Sequence, residues 1–126
     1  MVAIREMPEL RVTVDDVVYT PEIETSPEHP YPMVYFITIW NDGSEAVTIK
    51  GRKWVFRDAT GNTIAVEGDG VVGEFPKIQP GESFSYNSYH SIGSDSVGEG
   101  ALLGLTEGGE AVFTRIPRFE MKVPKV

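Results

Sequence analysis

The chain contains no cysteine, and its 126 residues include only two histidines. Without cysteine there can be no disulfide, no thiolate catalysis and no cysteine-ligated zinc. The strong helix formers leucine and alanine are scarce, with 4 and 6 residues against 15 valines and 9 isoleucines. Because β-branched residues pack well on a pleated sheet, and 13 glycines and 9 prolines supply turn residues, the composition favours an all-β protein.

The sequence also has few basic residues and no long apolar segment. Eleven basic residues face 19 acidic ones, which gives a net charge of -8 and makes nucleic acid and anionic membranes poor partners. Residues 1–8 have no apolar core of the kind a signal peptide needs, and no segment approaches the ~20 apolar residues of a membrane span. We therefore expect a cytoplasmic protein that binds neither nucleic acid nor membrane. Its oligomeric state stays open.

Alternation of apolar and polar residues predicts seven strands at short, regular spacing. A chain of this length fits one domain. We therefore predict one antiparallel β-sandwich of immunoglobulin or fibronectin type III kind, with seven to eight strands. Its core spans about residues 10–120, and residues 1–8 and 121–126 are flexible termini. The predicted strands are residues 10–19, 33–40, 46–58, 63–66, 83–89, 101–106 and 111–116.

Two segments between these strands are predicted to be loops. Residues 20–32 contain four prolines and three glutamates, and residues 91–100 are rich in serine and glycine. Since loops on a rigid scaffold carry much of protein specificity, these two segments are candidate recognition sites.

The stretch from Gly68 to Gly73 has the G-x-G-x-x-G spacing of phosphate-binding turns. Such a turn must open a helix, and Pro76 and Pro80 forbid a helix here, so the motif is not a dinucleotide fingerprint. Two interpretations remain open. In one, Gly68, Gly70 and Gly73 direct backbone amides at an anion, and Arg52 supplies the charge.

In the other interpretation the glycines only shape a tight crossover between the two sheets, with Val71 and Val72 filling the core. The anion hypothesis carries a condition, because Asp69 and Glu74 would repel a bare phosphate. Binding of pyrophosphate or a nucleotide should therefore be stronger with Mg²⁺ than without it.

Four of the basic residues lie within eight positions, but strand alternation divides them. Lys50 and Arg52 share the face of Trp54, whereas Lys53 and Arg57 point the other way. We expect these side chains to be solvated and balanced by nearby carboxylates, as is ordinary at a protein surface.

Neither a metal site nor a catalytic centre is predicted. His29 and His90 are far apart in the chain and lack the clustered acidic residues that a transition-metal site wants. The serines show no G-x-S-x-G elbow, and no third group is placed to orient a histidine base. We expect no catalytic residue and no cofactor.

Three segments together resemble the ApaG (CorD) domain family. They are the strand ending in Ile37–Asn41, the run Arg52–Asp58, and the glycine motif Gly68–Pro76 followed by Pro80–Tyr86. The resemblance covers about residues 10–120. Lys53 stands where the family usually has histidine, and residues 96–102 lack the Met and Tyr common near that segment, so no role of those side chains is carried over.

The resemblance implies a fibronectin-III-like sandwich and no enzymatic mechanism. Bacterial members are linked by name to cobalt resistance and magnesium efflux, and genomically to diadenosine tetraphosphate hydrolysis. Eukaryotic relatives carry the domain in F-box and polymerase-delta-interacting proteins, where it serves as a protein-binding module. We therefore expect a non-enzymatic module that binds another protein. The alternative is a binder of a small phosphate-containing anion.

Overall fold

The computed structural model describes residues 3–125, and within them it has nine strands and no helix. The strands are β1 (Ile4–Glu6), β2 (Leu10–Tyr19), β3 (Tyr31–Asn41), β4 (Val47–Asp58), β5 (Thr63–Asp69), β6 (Lys77–Ile78), β7 (Ser83–Ile92), β8 (Ser96–Thr106) and β9 (Ala111–Met121). The all-β prediction is confirmed. The count exceeds seven to eight because β1 and β6, with three and two residues, are too short to show alternation.

The strands form two sheets. The larger sheet has the order β1-β9-β8-β4-β5, with β6 pairing the same strand, β4, as β5 does. The smaller sheet has the order β2-β3-β7. All neighbours run antiparallel except β1, which lies parallel to β9.

The core lies between the inner faces of the two sheets, as the alternating pattern predicted. Met33, Tyr35, Ile37 and Ile39 of β3 are all buried and face the larger sheet. Trp54, with 3% of its surface exposed, is a core residue of β4. Its ring contacts those of three other buried aromatic residues at centroid distances of 5.1–5.8 Å: Tyr35, Phe56 and Phe119.

The chain ends are more ordered than the sequence suggested. Ile4–Glu6 lies in the segment predicted to be flexible, but it pairs with β9. Met7 and Met121 are also in the predicted flexible ends, and both are buried. The physical reason is that the outer edge of β9 offers unpaired backbone groups, which a three-residue strand can satisfy.

The predicted serine- and glycine-rich loop at residues 91–100 is mostly strand. β7 continues to Ile92 and β8 begins at Ser96, so only residues 93–95 connect them. The glycines fit because Gly98 packs against the rings of Phe56 and Phe119, and any Cβ at Gly100 would collide with the Lys53 carbonyl. Close packing, not a turn, explains these glycines.

No helix among the described residues is long and apolar enough to cross a membrane.

Candidate functional site

The glycine motif forms the end of β5 and a tight hairpin that follows it. Val71 and Glu74 exchange two backbone hydrogen bonds of 2.9 Å, which leaves Val72 and Gly73 as the turn. Their φ angles of 44° and 79° match a type I′ turn. A β-branched residue rarely adopts a positive φ, so Val72 is held in a strained conformation.

This hairpin stays within the larger sheet, contrary to the predicted crossover between sheets. β5 and β6 both pair with β4, and the chain changes sheet only after β6, through Gln79–Glu82. Val71 fills the core as predicted, because it is completely buried. Val72 does not, because 46% of its surface is exposed.

Each glycine of the motif has its own structural reason. Gly68 lies under the Arg52 guanidinium, whose atoms would be 2.7 Å from a Cβ at this position. Gly70 has a φ of 60°, and a Cβ there would strike the carbonyl of Glu74. Gly73 needs only its positive φ, since the space around it is open.

The loop amides are largely occupied by the protein itself. The Gly70 amide donates to the Lys50 carbonyl at 2.9 Å, and those of Val71 and Glu74 donate to each other's carbonyls. A cradle for an anion needs several free amides that converge. The geometry thus favours a structural role for these three amides.

Arg52 lies on the inner face of β4, on the side of Trp54, as the alternation predicted. Its Nη1 donates to the carbonyls of Asp69 and Gly70 at 2.8 and 3.2 Å. The side chain is half-buried, and within residues 3–125 no carboxylate forms an ion pair with it. Arg52 therefore carries a positive charge with no ion-pair partner, next to the hairpin that follows β5.

Beside Arg52 is a cavity of about 70 Å³, here called the Tyr86 cavity. The Tyr86 hydroxyl is buried and has no hydrogen-bond partner among the described residues. An unsatisfied buried hydroxyl costs roughly 1–3 kcal/mol. The cavity is lined by Tyr35, Arg52, Trp54, Val72, Tyr86 and Ser88.

The two tyrosines of this cavity are neutral at physiological pH. Burial raises the pKa of Tyr86, as does the neighbouring Tyr35, while Arg52 opposes the change. Burial also raises the pKa of Tyr35, against the opposing effects of Ser88 and Arg52. Both hydroxyls therefore keep their protons and can act as hydrogen-bond donors.

Lys53 and Arg57 behave as predicted for a solvated strand. On the outer face, Lys53 forms an ion pair with Glu67 and Arg57 forms one with Glu99, each at 3.6 Å. Lys50 lies over the ring of Phe75, with its Nζ 5.7 Å from the centroid.

A second surface feature occupies the solvent side of the larger sheet. Ile4, Leu103 and Leu105 are 52%, 43% and 39% exposed there. Leu103 is the cross-strand partner of Phe113, and both Ile4 and Leu105 are partners of Ala111, so these side chains adjoin one another. Ile4, Leu103, Leu105 and Phe113 are called the outer apolar face below.

The outer apolar face borders a trough of about 690 Å³. Its floor includes Gly51, which is the partner of Leu103 and carries no side chain. A β-bulge between Ile49 and Gly51 interrupts the register at the same place. Two ion pairs stand on this face, Lys53–Glu67 at 3.6 Å and Arg115–Glu6 at 3.1 Å.

The fold brings the two histidines together, although their separation in the chain argued against it. His29 and His90 line one recess, where His90 stacks on Phe56 at 3.8 Å between ring centroids. Burial lowers the pKa of His90, and the charge of His29 lowers it further. Within residues 3–125 no group of three or more His, Asp or Glu side chains could hold a metal ion.

Sequence reasoning identified Arg52 but missed its neighbours in the Tyr86 cavity. The alternating pattern gave no sign that the hydroxyls of Tyr35 and Tyr86 converge with Arg52. The outer apolar face was missed as well. Its only local signal was the pair Leu103 and Leu105 with Gly104 between them.

Comparison with known proteins supports one assignment. A family model described as the ApaG domain matches residues 21–102. Protein ApaG of Methylococcus capsulatus is 35% identical over 119 residues, which is 93% of each chain.

Two solved structures are similar along nearly the whole chain. An X-ray structure from a structural genomics consortium has 34% identity and a TM-score of 0.85, over 94% of this chain and 90% of the other. A Bordetella pertussis protein described as ApaA has 27% identity and a TM-score of 0.79, over 98% and 100%. This chain therefore belongs to the ApaG domain family.

Proposed function

We propose that this protein is a non-enzymatic module that binds another protein through its outer apolar face. The observation that carries the proposal is the exposure of Ile4, Leu103 and Leu105 side by side on one sheet face. Contiguous apolar surface with charged residues around it is typical of protein interaction sites.

The trough beside Leu103 suggests how a partner would be held. Most of the binding energy of an interface comes from a few side chains that fill pockets. With no side chain at Gly51, a large apolar side chain of the partner can pack between Leu103 and the charged rim. The rim pairs are more than 40% exposed, so they would contribute to specificity more than to affinity.

The partner we propose has a basic surface around its apolar anchor. The net charge of -8 would accelerate the approach of such a partner and repel acidic proteins. Association should therefore slow as salt is added.

The test compares two substitutions of exposed apolar residues on opposite sides of the sandwich. Leu103→Asp places a charge on the outer apolar face, and Phe36→Asp places one on the smaller sheet, where Phe36 is 38% exposed. A protein captured from a bacterial lysate should bind directly, in purified form, to the wild-type chain and to Phe36→Asp. Binding to Leu103→Asp should fall at least about tenfold, as expected for a central interface residue.

A photo-crosslinker at position 103 should also label that partner. Equal binding by Leu103→Asp and Phe36→Asp, with no label from position 103, would show that the outer apolar face is not the site.

The alternative from the sequence, an anion held by the loop amides, receives less support from the geometry. The amides of Gly70, Val71 and Glu74 already donate to backbone carbonyls. A link to cobalt resistance or magnesium efflux would, on our proposal, act through the protein partner.

A further inference from the structure

We infer that the Tyr86 cavity binds one small oxyanion, such as inorganic phosphate, through side chains and not through the amides of the glycine motif. The inference does not rest on the proposed protein-binding function, because the cavity lies between the sheets and the outer apolar face lies on the opposite side of the larger sheet. Among the described residues, Arg52 is the one that lines both the cavity and the trough beside that face. Arg52 is shared with the anion site predicted from the sequence. The backbone amides of Gly68, Gly70 and Gly73 are replaced by the Tyr86 hydroxyl.

The first reason is that one group in the cavity lacks a hydrogen-bond partner and another lacks a negatively charged partner. The Tyr86 hydroxyl is buried without a hydrogen bond, and the half-buried Arg52 has no carboxylate partner in the described part of the chain. Buried polar groups are nearly always hydrogen-bonded, and a partly desolvated charge is stabilised by an opposite one. An oxyanion satisfies both groups at once.

Water alone would satisfy the hydrogen bonds of these two groups but not the charge of Arg52. A cavity of about 70 Å³ offers the space of about two water molecules, at ~30 Å³ each. Waters could accept hydrogen bonds from the Tyr86 hydroxyl and from Arg52, but they would place no negative charge opposite the guanidinium. The same space suits one small oxyanion and is too small to enclose a nucleotide.

The geometry of Arg52 is suited to this role. Among the described residues, its hydrogen bonds run from Nη1 alone, to the carbonyls of Asp69 and Gly70. These two bonds and the contact with Gly68 hold the guanidinium in place, which leaves other N–H groups of its planar fork for a ligand.

Access is provided at the turn of the glycine motif. Val72 lines the cavity while 46% of its surface is exposed, so it stands at the mouth. The type I′ turn, with the strained φ of 44°, is what places Val72 there.

The experiment is an NMR titration of the wild-type chain with sodium phosphate at constant ionic strength, observing the Arg52 side-chain Nε–H and the backbone amides. The matched variants are Tyr86→Phe, which removes the cavity hydroxyl, and Tyr89→Phe, which removes an exposed hydroxyl from the same strand. We expect saturable shifts of Arg52 in the wild-type chain and in Tyr89→Phe. The affinity of Tyr86→Phe should be about tenfold weaker, and binding should not require Mg²⁺.

A parallel titration with sodium acetate identifies the kind of oxyanion. Tighter binding of acetate than of phosphate, with the same loss in Tyr86→Phe, would support the site and assign it to a carboxylate. Equal affinities of Tyr86→Phe and Tyr89→Phe for both anions would overturn the inference. Shifts confined to the amides of residues 68–73, present only with Mg²⁺, would also overturn it in favour of the loop.

Discussion

Single residues of the glycine motif illustrate how one spacing can serve three different physical needs. Gly68 makes room for a side chain, Gly70 for a backbone carbonyl, and Gly73 for a positive φ. None of these needs involves a nucleotide. A motif that in other folds opens a helix here closes a hairpin, because the residues after it cannot be helical.

These differences predict a ranking for three alanine substitutions. Gly70→Ala combines a positive φ with a collision against fixed backbone, so it should lower the free energy of unfolding by more than about 2 kcal/mol. Gly73→Ala should lower the free energy of unfolding by about 1–2 kcal/mol, because alanine must adopt the positive φ of this position but its Cβ meets no other atom. Gly68→Ala should cost the least, about 1 kcal/mol, because it meets only the end of the Arg52 side chain, which can shift at the expense of its bonds to the Asp69 and Gly70 carbonyls.

Urea denaturation of the three variants measures this ranking directly. If Gly68→Ala proved the most destabilising of the three, the Arg52 side chain would be held too firmly to shift away from a Cβ at position 68.

Among the elements, β1 shows how a very short strand can tie down a chain end. It pairs with the outer edge of β9, and Arg5 and Glu6 form ion pairs with Glu110 and Arg115 across that edge. These exposed pairs contribute little by themselves. The next residue, Met7, is buried, and its amide donates to the Phe113 carbonyl at 2.8 Å.

Met7→Ala tests whether this N-terminal segment is part of the cooperative structure. We expect a loss of about 2–4 kcal/mol in the free energy of unfolding, since a buried methionine side chain is removed from the core. Ile4→Ala is the control, because Ile4 lies in β1 with half of its surface exposed, and it should change stability by no more than about 0.5 kcal/mol. Indistinguishable denaturation midpoints for Met7→Ala and the wild-type chain would mean that this segment detaches freely.

For the whole molecule, the joint between the two sheets is an aromatic cluster. Trp54 of the larger sheet contacts Tyr35 of the smaller one and Phe119 of β9, with centroid distances of 5.1 and 5.8 Å. Aromatic pairs of this kind stabilise a core beyond the area they bury. The cluster therefore connects strands that are distant along the chain.

Trp54→Ala should lower the free energy of unfolding by ~3–5 kcal/mol, because it leaves a cavity between the sheets. Val55→Ala is the matched control, since Val55 is adjacent in β4 but lies on the outer face, and it should cost about 1 kcal/mol or less. Thermal and urea denaturation of both variants gives the comparison. A larger loss for Val55→Ala than for Trp54→Ala would mean that the faces of β4 are reversed.

The seven longer strands, and which residues share a face along them, followed from the sequence alone. Alternation is a local property, so Ile37 and Ile39 could be placed on one face of their strand, and Arg52 on the side of Trp54, without knowledge of any neighbour. The exclusion of a helix after the glycine motif was equally local, since it depended on the covalent geometry of Pro76 and Pro80.

Which strands pair, and which distant residues meet, was decided only by the tertiary structure. No local pattern indicates that β5 and β6 share β4, that β1 lies along β9, or that His29 meets His90. The Tyr86 cavity has the same origin, because its walls come from β3, β4, β7 and the hairpin after β5. Such contacts depend on which distant segments satisfy each other's hydrogen bonds and apolar faces, and that balance is settled only when the whole chain folds.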